Sequence, residues 1–111
     1  MVKPLAGGLA LAVIVTLALE GCQSTSPPDS GKSGEELFQT HCSGCHPNGG
    51  NVIYPQKGLD RMTLAANGIT GPGGIVAVIR NPGRGMKKFD QGAVSDREAM
   101  AIARYVFSSF R

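Results

Sequence analysis

A chain of 111 residues, with 11 Lys and Arg against 8 Asp and Glu, is long enough for one small domain and no more. Four Phe, two Tyr and no Trp on so mild a positive balance exclude the basic, aromatic-interleaved surface of a nucleic-acid binder. Sixteen Gly and seven Pro, with no internal repeat and no useful run of strand alternation, predict short elements separated by loops.

The first stretch reads as an export signal. Lys3 supplies a positive start, Leu5 to Leu19 is an uncharged apolar run, and Leu19-Glu20-Gly21-Cys22 follows. The run is short for a membrane span, which takes about 20 apolar residues. That last tetrapeptide resembles a bacterial lipobox, although Glu20 stands where a small residue is usual. Residues 1–21 are therefore expected to be a lipoprotein-type signal peptide and Cys22 the lipidation site. By the sorting rule of enteric bacteria, Gln23 after the cysteine implies the outer membrane, facing the periplasm or cell surface. Plain cleavage would instead leave a soluble periplasmic protein. Residues 22–33, with the Ser/Pro/Gly/Asp tract from Gln23 to Lys32, read as a flexible linker. Random-coil scaling gives such a tether a reach on the order of 15–20 Å.

Residues 34–111 form the expected folded domain, all-α, with about four helices. The first helix covers Gly34 to Cys42, opened by Ser33 and Glu36 in the S-x-x-E capping-box pattern. A second runs from Arg61 to Asn67 and stops at Gly68. The third covers Gly73 to Arg80, although Ile75, Val76, Val78 and Ile79 also suit a strand. In the last helix, Ser95 and Glu98 repeat the capping box. Ala99, Ala103, Val106 and Phe110 mark its apolar face, widened by Met100 and Phe107. Pro47 to Gln56 and Gly83 to Val94 remain as long loops, which in so small a domain usually carry function. A chain this short needs a staple: a metal, a disulfide or a cofactor.

Cys42-Ser43-Gly44-Cys45-His46 points to that staple. C-x-x-C-H is the attachment pattern of c-type haem. Two thiols three positions apart can each form a thioether with one porphyrin vinyl group, and the next imidazole then falls under the iron. Cys42 and Cys45 are thus the candidate covalent anchors of one haem, and His46 the proximal iron ligand. A thioredoxin-like dithiol would require βαβ units, which the pattern lacks. Zinc held by His41, Cys42, Cys45 and His46 would draw every ligand from one short segment, unlike ordinary tetrahedral sites. A disulfide across so short a loop would stabilise little.

The sixth iron ligand follows from counting. The second histidine, His41, lies beside Cys42 on the same anchored segment and cannot reach the far face of the ring. A methionine, a lysine or no ligand remains. Met1 leaves with the signal, and Met100 reads as core filler on the last helix. Met62 opens a short helix and suits either role. Met86 sits in the glycine-rich Gly83-Arg84-Gly85-Met86 loop, where backbone can approach a flat cofactor. It is the first candidate, and His/Met ligation raises the reduction potential relative to bis-histidine.

From Gly34 onward the chain resembles the class I cytochromes c, most closely cytochrome c6. The resemblance rests on Gly34-Glu35-Glu36-Leu37-Phe38 before the haem motif and Cys45-His46-Pro47-Asn48-Gly49-Gly50-Asn51-Val52-Ile53 across and after it. It continues through Lys57-Gly58-Leu59, Asn67-Gly68, Gly83-Arg84-Gly85-Met86, Phe89, Ser95-Asp96 and Tyr105-Val106. It implies a small class I cytochrome c fold wrapped around one covalent haem, with the first and last helices crossing near Gly34, Phe38 and Tyr105. It also implies Met86 as distal ligand, with Asn51 and Lys57 near the propionates. Lys87 stands where the family usually has proline after the ligand methionine. With the lipoprotein start, the chain looks like the outer-membrane monohaem lipoprotein cytochromes of metal-respiring bacteria.

Between Asp60 and Asp90 no acidic residue occurs, whereas Arg61, Arg80, Arg84, Lys87 and Lys88 do. Around the Met86 loop such a cluster would steer redox proteins with acidic docking surfaces, multihaem cytochromes among them. A monomeric one-electron carrier is the expected function. A haem enzyme or ligand sensor with an open sixth position is the alternative, and it would lack a distal histidine for peroxide chemistry.

Overall fold

Ser33 and Glu36 do what their spacing predicts in the computed structural model, which describes residues 1–4, 7 and 29–111. The Ser33 hydroxyl accepts from the Glu36 backbone N–H at 3.2 Å, and the Glu36 carboxylate accepts from the Ser33 N–H at 2.8 Å. This box opens α1, Gly34–His41, which ends where the Cys42 N–H returns to the Phe38 carbonyl at 2.8 Å. Asp60 caps α2, Arg61–Ala66, through the Thr63 N–H at 2.9 Å. The strand-like apolar run is helical: α3 spans Pro72–Arg80. Its proline occupies the first turn, where a fixed φ favours helix and no N–H is missed. Its buried residues, Ile75 and Ile79, lie at helical spacing. Ser95 and Glu98 close the second capping box and open α4, Asp96–Ser109. Among the described residues there is no strand, and two 3₁₀ turns, Pro47–Gly49 and Pro55–Lys57, interrupt the first long loop.

Helix α4 is the axis of the domain, and α1 and α3 both pack on it. At Gly34 the crossing is backbone to backbone: a Cβ there would run into the Ala101 carbonyl and lie 3.1 Å from the Tyr105 Cβ. Phe38 follows one turn later, 1% exposed, with its ring 5.4 Å from those of both Tyr105 and Phe110. Burying one such side chain stabilises by roughly 1.5–3 kcal/mol, so this aromatic cluster locks the crossing. Leu37, Leu64, Phe89, Val94, Ala99, Ile102, Ala103 and Val106 complete the core with Ile75 and Ile79. Met100, expected as core filler, is only half-buried and stands outside this cluster. It lies one residue after Ala99 and three before Ala103, at the margin of the apolar stripe.

Arg80 straps the second long loop to α4. Its guanidinium donates to the carbonyls of Phe89 (3.1 Å) and Val94 (2.8 Å) and pairs with Asp96 at 2.8 Å. At the same first turn of α4, residues of the expected tether are docked. Ser30 donates to Glu98 Oε1 through its backbone N–H at 3.0 Å and through its hydroxyl, and Asp29 pairs with Arg97 at 3.4 Å. The export run, Cys22 and the tether from Gln23 to Pro28 lie outside the described residues. Among those that are described, no helix is long and apolar enough to cross a membrane.

Candidate haem site

The end of α1 delivers Cys42, and a tight turn delivers Cys45 and His46: the N–H groups of both return to the Cys42 carbonyl, at 3.2 and 2.9 Å. Both cysteines are free thiols. Cys42 is partly buried, and that burial pushes its thiol up to about 11, whereas Cys45 is exposed. His41, Cys42, Cys45 and His46 do not converge into a group able to hold a metal ion between them.

His46 is buried, and its Nδ1 lies 2.7 Å from the Gly50 carbonyl. A carbonyl only accepts, so Nδ1 carries the proton and Nε2 keeps its lone pair. This tautomer is the one that binds a metal through Nε2, with ring orientation and basicity set by the hydrogen bond behind it.

These groups open on a crevice of about 440 Å³. Its walls are apolar: Phe38, Leu59, Leu64 and Ile69, then Ile75, Val78 and Ile79 of α3, and Ile102 and Val106 of α4. The volume lies within the ordinary range of cofactor pockets. An apolar slot holding two thiols, an imidazole with a free Nε2 and a thioether fits an iron porphyrin joined through its vinyl groups.

Met86 lines this crevice, half-buried. Met62 is 84% exposed, and neither it nor Met100 lines the crevice. Asn51 and Lys57 both line it. The Asn51 side chain is already engaged in holding its own turn. Its Oδ1 accepts from the N–H groups of Ile53 (3.0 Å) and Tyr54 (2.8 Å), and its Nδ2 donates to the Lys57 carbonyl at 3.3 Å.

The basic cluster divides. Arg84 and Lys87 are exposed on the crevice rim, and Lys88 is exposed beside them. Lys87 holds its ammonium 5.4 Å from the Phe89 ring centroid. Arg80 is spent on the loop strap, and Arg61 stacks 4.0 Å over Phe107 while its Nε donates to the Phe107 carbonyl at 2.7 Å. Neither lines the crevice, because a guanidinium with carbonyl partners and an aromatic face nearby is held by them.

Sequence reasoning missed several crevice residues. Ile102 lies three residues after Ala99 and four before Val106, so the helical period alone would have found it. Leu64 and Ile69 carry no such signal, because α2 is too short for periodicity. Tyr54 lines the crevice through contacts distant in sequence, which no local pattern encodes.

A family model described as cytochrome c oxidase, cbb3-type, subunit III matches residues 29–106. Cytochrome c6 of Bumilleriopsis filiformis is 36% identical over 77 residues, covering 69% of this chain and 88% of that protein. The structure of OmcF, outer membrane cytochrome F from Geobacter sulfurreducens, superimposes with a TM-score of 0.69 at 47% identity. The match covers 71% of this chain and 100% of that one. Cytochrome c6C from Synechococcus sp. PCC 7002 gives a TM-score of 0.63 at 32% identity, over 68% of this chain and 90% of that one.

Proposed function

The chain belongs to the class I c-type cytochromes, the family of cytochrome c6, and on that premise we propose that it carries single electrons through a His46/Met86-ligated haem at the outer membrane. It is a monohaem electron carrier with covalent haem c, and not an enzyme. When bound, the haem supplies a one-electron Fe(III)/Fe(II) couple. Cys42 and Cys45 form the thioethers. His46 binds iron through Nε2, and its hydrogen bond to Gly50 holds the ring in place. Asn51 orders the turn leading to Lys57, and these two crevice-lining residues would sit near the haem propionates.

One observation carries the axial assignment: of Met62, Met86 and Met100, Met86 alone lines the crevice that His46 enters. Lipidation at Cys22 and a respiratory role draw support from the 47% identity to a protein described as an outer membrane cytochrome. The exposed cations Arg84, Lys87 and Lys88 suit a redox partner with an acidic docking surface.

The test is spectroscopic. Oxidised holoprotein should show the weak near-infrared sulfur-to-iron charge-transfer band, and Met86→Ala should abolish it and lower the potential. Met62→Leu and Met100→Leu should keep the band at a cost below about 1.5 kcal/mol, leucine being similar in volume. A band that survives Met86→Ala and vanishes in Met62→Leu overturns the assignment.

A further inference from the structure

The Met86 loop begins at an exposed glycine pair, Gly83 and Gly85, and polar loop residues alone would leave its position loosely set. Gly85 has φ +88°, in the left-handed region. A Cβ built there would lie 2.7 Å from Tyr54 Cε2, with Tyr54 Cδ2 and Ile53 Cγ2 each at 3.4 Å. The edge of the Tyr54 ring therefore rests on the Gly85 backbone, one residue before Met86, at a distance only glycine permits.

The turn that carries the ring is itself held by hydrogen bonds to its main chain. The Tyr54 N–H donates to Asn51 Oδ1 at 2.8 Å, and the Lys57 N–H donates to the Tyr54 carbonyl at 2.8 Å, opening the 3₁₀ turn Pro55–Lys57. The Lys57 ammonium lies 5.4 Å from the ring centroid. A rigid turn that follows the haem motif thus backs a loop some thirty residues further along the chain.

Resting on the assignment of Met86 as axial ligand, we propose that Tyr54 is a positioning residue for that ligand, its ring acting as the backstop that keeps the Gly85–Met86 segment closed over the crevice. The ring contributes by packing and not through its hydroxyl. Removing it raises the fraction of molecules in which the sulfur has left the iron. A competing ligand for the vacated position then binds more tightly in proportion to that fraction.

The test uses ferric holoprotein and imidazole as the competing ligand, followed by loss of the near-infrared band, with the unfolding midpoint measured alongside. Tyr54→Ala should raise the apparent imidazole affinity by about tenfold, a change of the size that small shifts in a closed–open equilibrium produce. Tyr54→Phe should stay within about twofold of the unmodified protein. Gly85→Ala, which disturbs the same contact from the other side, should also raise it. Should Tyr54→Ala fail to fold, Tyr54→Leu replaces it. Unchanged imidazole affinity with a lowered unfolding midpoint would make Tyr54 a merely structural residue and overturn the proposal. So would Tyr54→Phe behaving like Tyr54→Ala, which would transfer the role to the hydroxyl. Failure of the axial assignment is separately visible, because Met86→Ala would then keep the band.

Discussion

Glu98 joins two pieces of the structure, and its removal should be visible as a change in acid stability. One carboxylate oxygen accepts from the Ser30 backbone and hydroxyl, and the other accepts from the Ser95 N–H at 3.0 Å. The residue is 8% exposed, with His41 contributing a further favourable charge. The Ser30 hydroxyl first, then the Ser95 and Ser30 N–H groups, hold this carboxyl down to about 2 from 4.5. A folded value below the unfolded one stabilises the fold above the unfolded value, and that stability is lost as pH falls through the window from about 5 to 2. Converted directly, such a shift sets a ceiling of roughly 3 kcal/mol. The hydrogen bonds sit at the domain edge, where water competes, so about 1–2 kcal/mol is expected, the range of a lost helix cap. The assay is urea unfolding of holoprotein and Glu98→Gln from pH 7 down to pH 3. The variant should be less stable at neutral pH, with its curve flatter and the two converging towards the acid end. Parallel curves at constant separation would refute the reasoning, because the loss would then owe nothing to the charge.

Replacing Arg84, Lys87 and Lys88 together with glutamine should slow electron transfer to an acidic partner and flatten its dependence on ionic strength. Rates from the unmodified protein that are equal at low and high salt would exclude steering. Cys22→Ala should shift the protein from membrane to soluble fractions with an unchanged visible spectrum. Full membrane retention of that variant would assign the attachment to something other than a lipid on Cys22.

What the sequence disclosed and what it hid follow one physical line: local signals were legible, and long-range ones were not. Both capping boxes, Ser33–Glu36 and Ser95–Glu98, act within four residues, and both form as their spacing predicts. The haem motif is as local, and the turn from Cys42 to His46 needs no partner to be recognised. The crossing at Gly34, Phe38 and Tyr105 came from family resemblance, since nothing in the chain near Gly34 announces that Ala101 will lie against it. Charge counting failed for a related reason. Arg61 and Arg80 look like their neighbours in sequence, yet Phe107 and Asp96, far along the chain, remove them from the rim.

The same distinction explains how the crevice is built. Its His46 wall is made of short-range bonds, from the Cys42 carbonyl turn to the Gly50 carbonyl behind the imidazole. Its Met86 wall depends on contacts between distant segments: the Arg80 strap to Val94 and Asp96, the Phe89 N–H on the Ile79 carbonyl at 3.1 Å, and Tyr54 against Gly85. Locally determined structure forms early, and a loop held by few contacts sits at the low-stability end of the molecule. Ligand exchange should therefore begin on the methionine side, with His46 and its turn intact. Hydrogen exchange at the Phe89 amide should be faster than at the His46 amide, and the reverse order would contradict this division of the site.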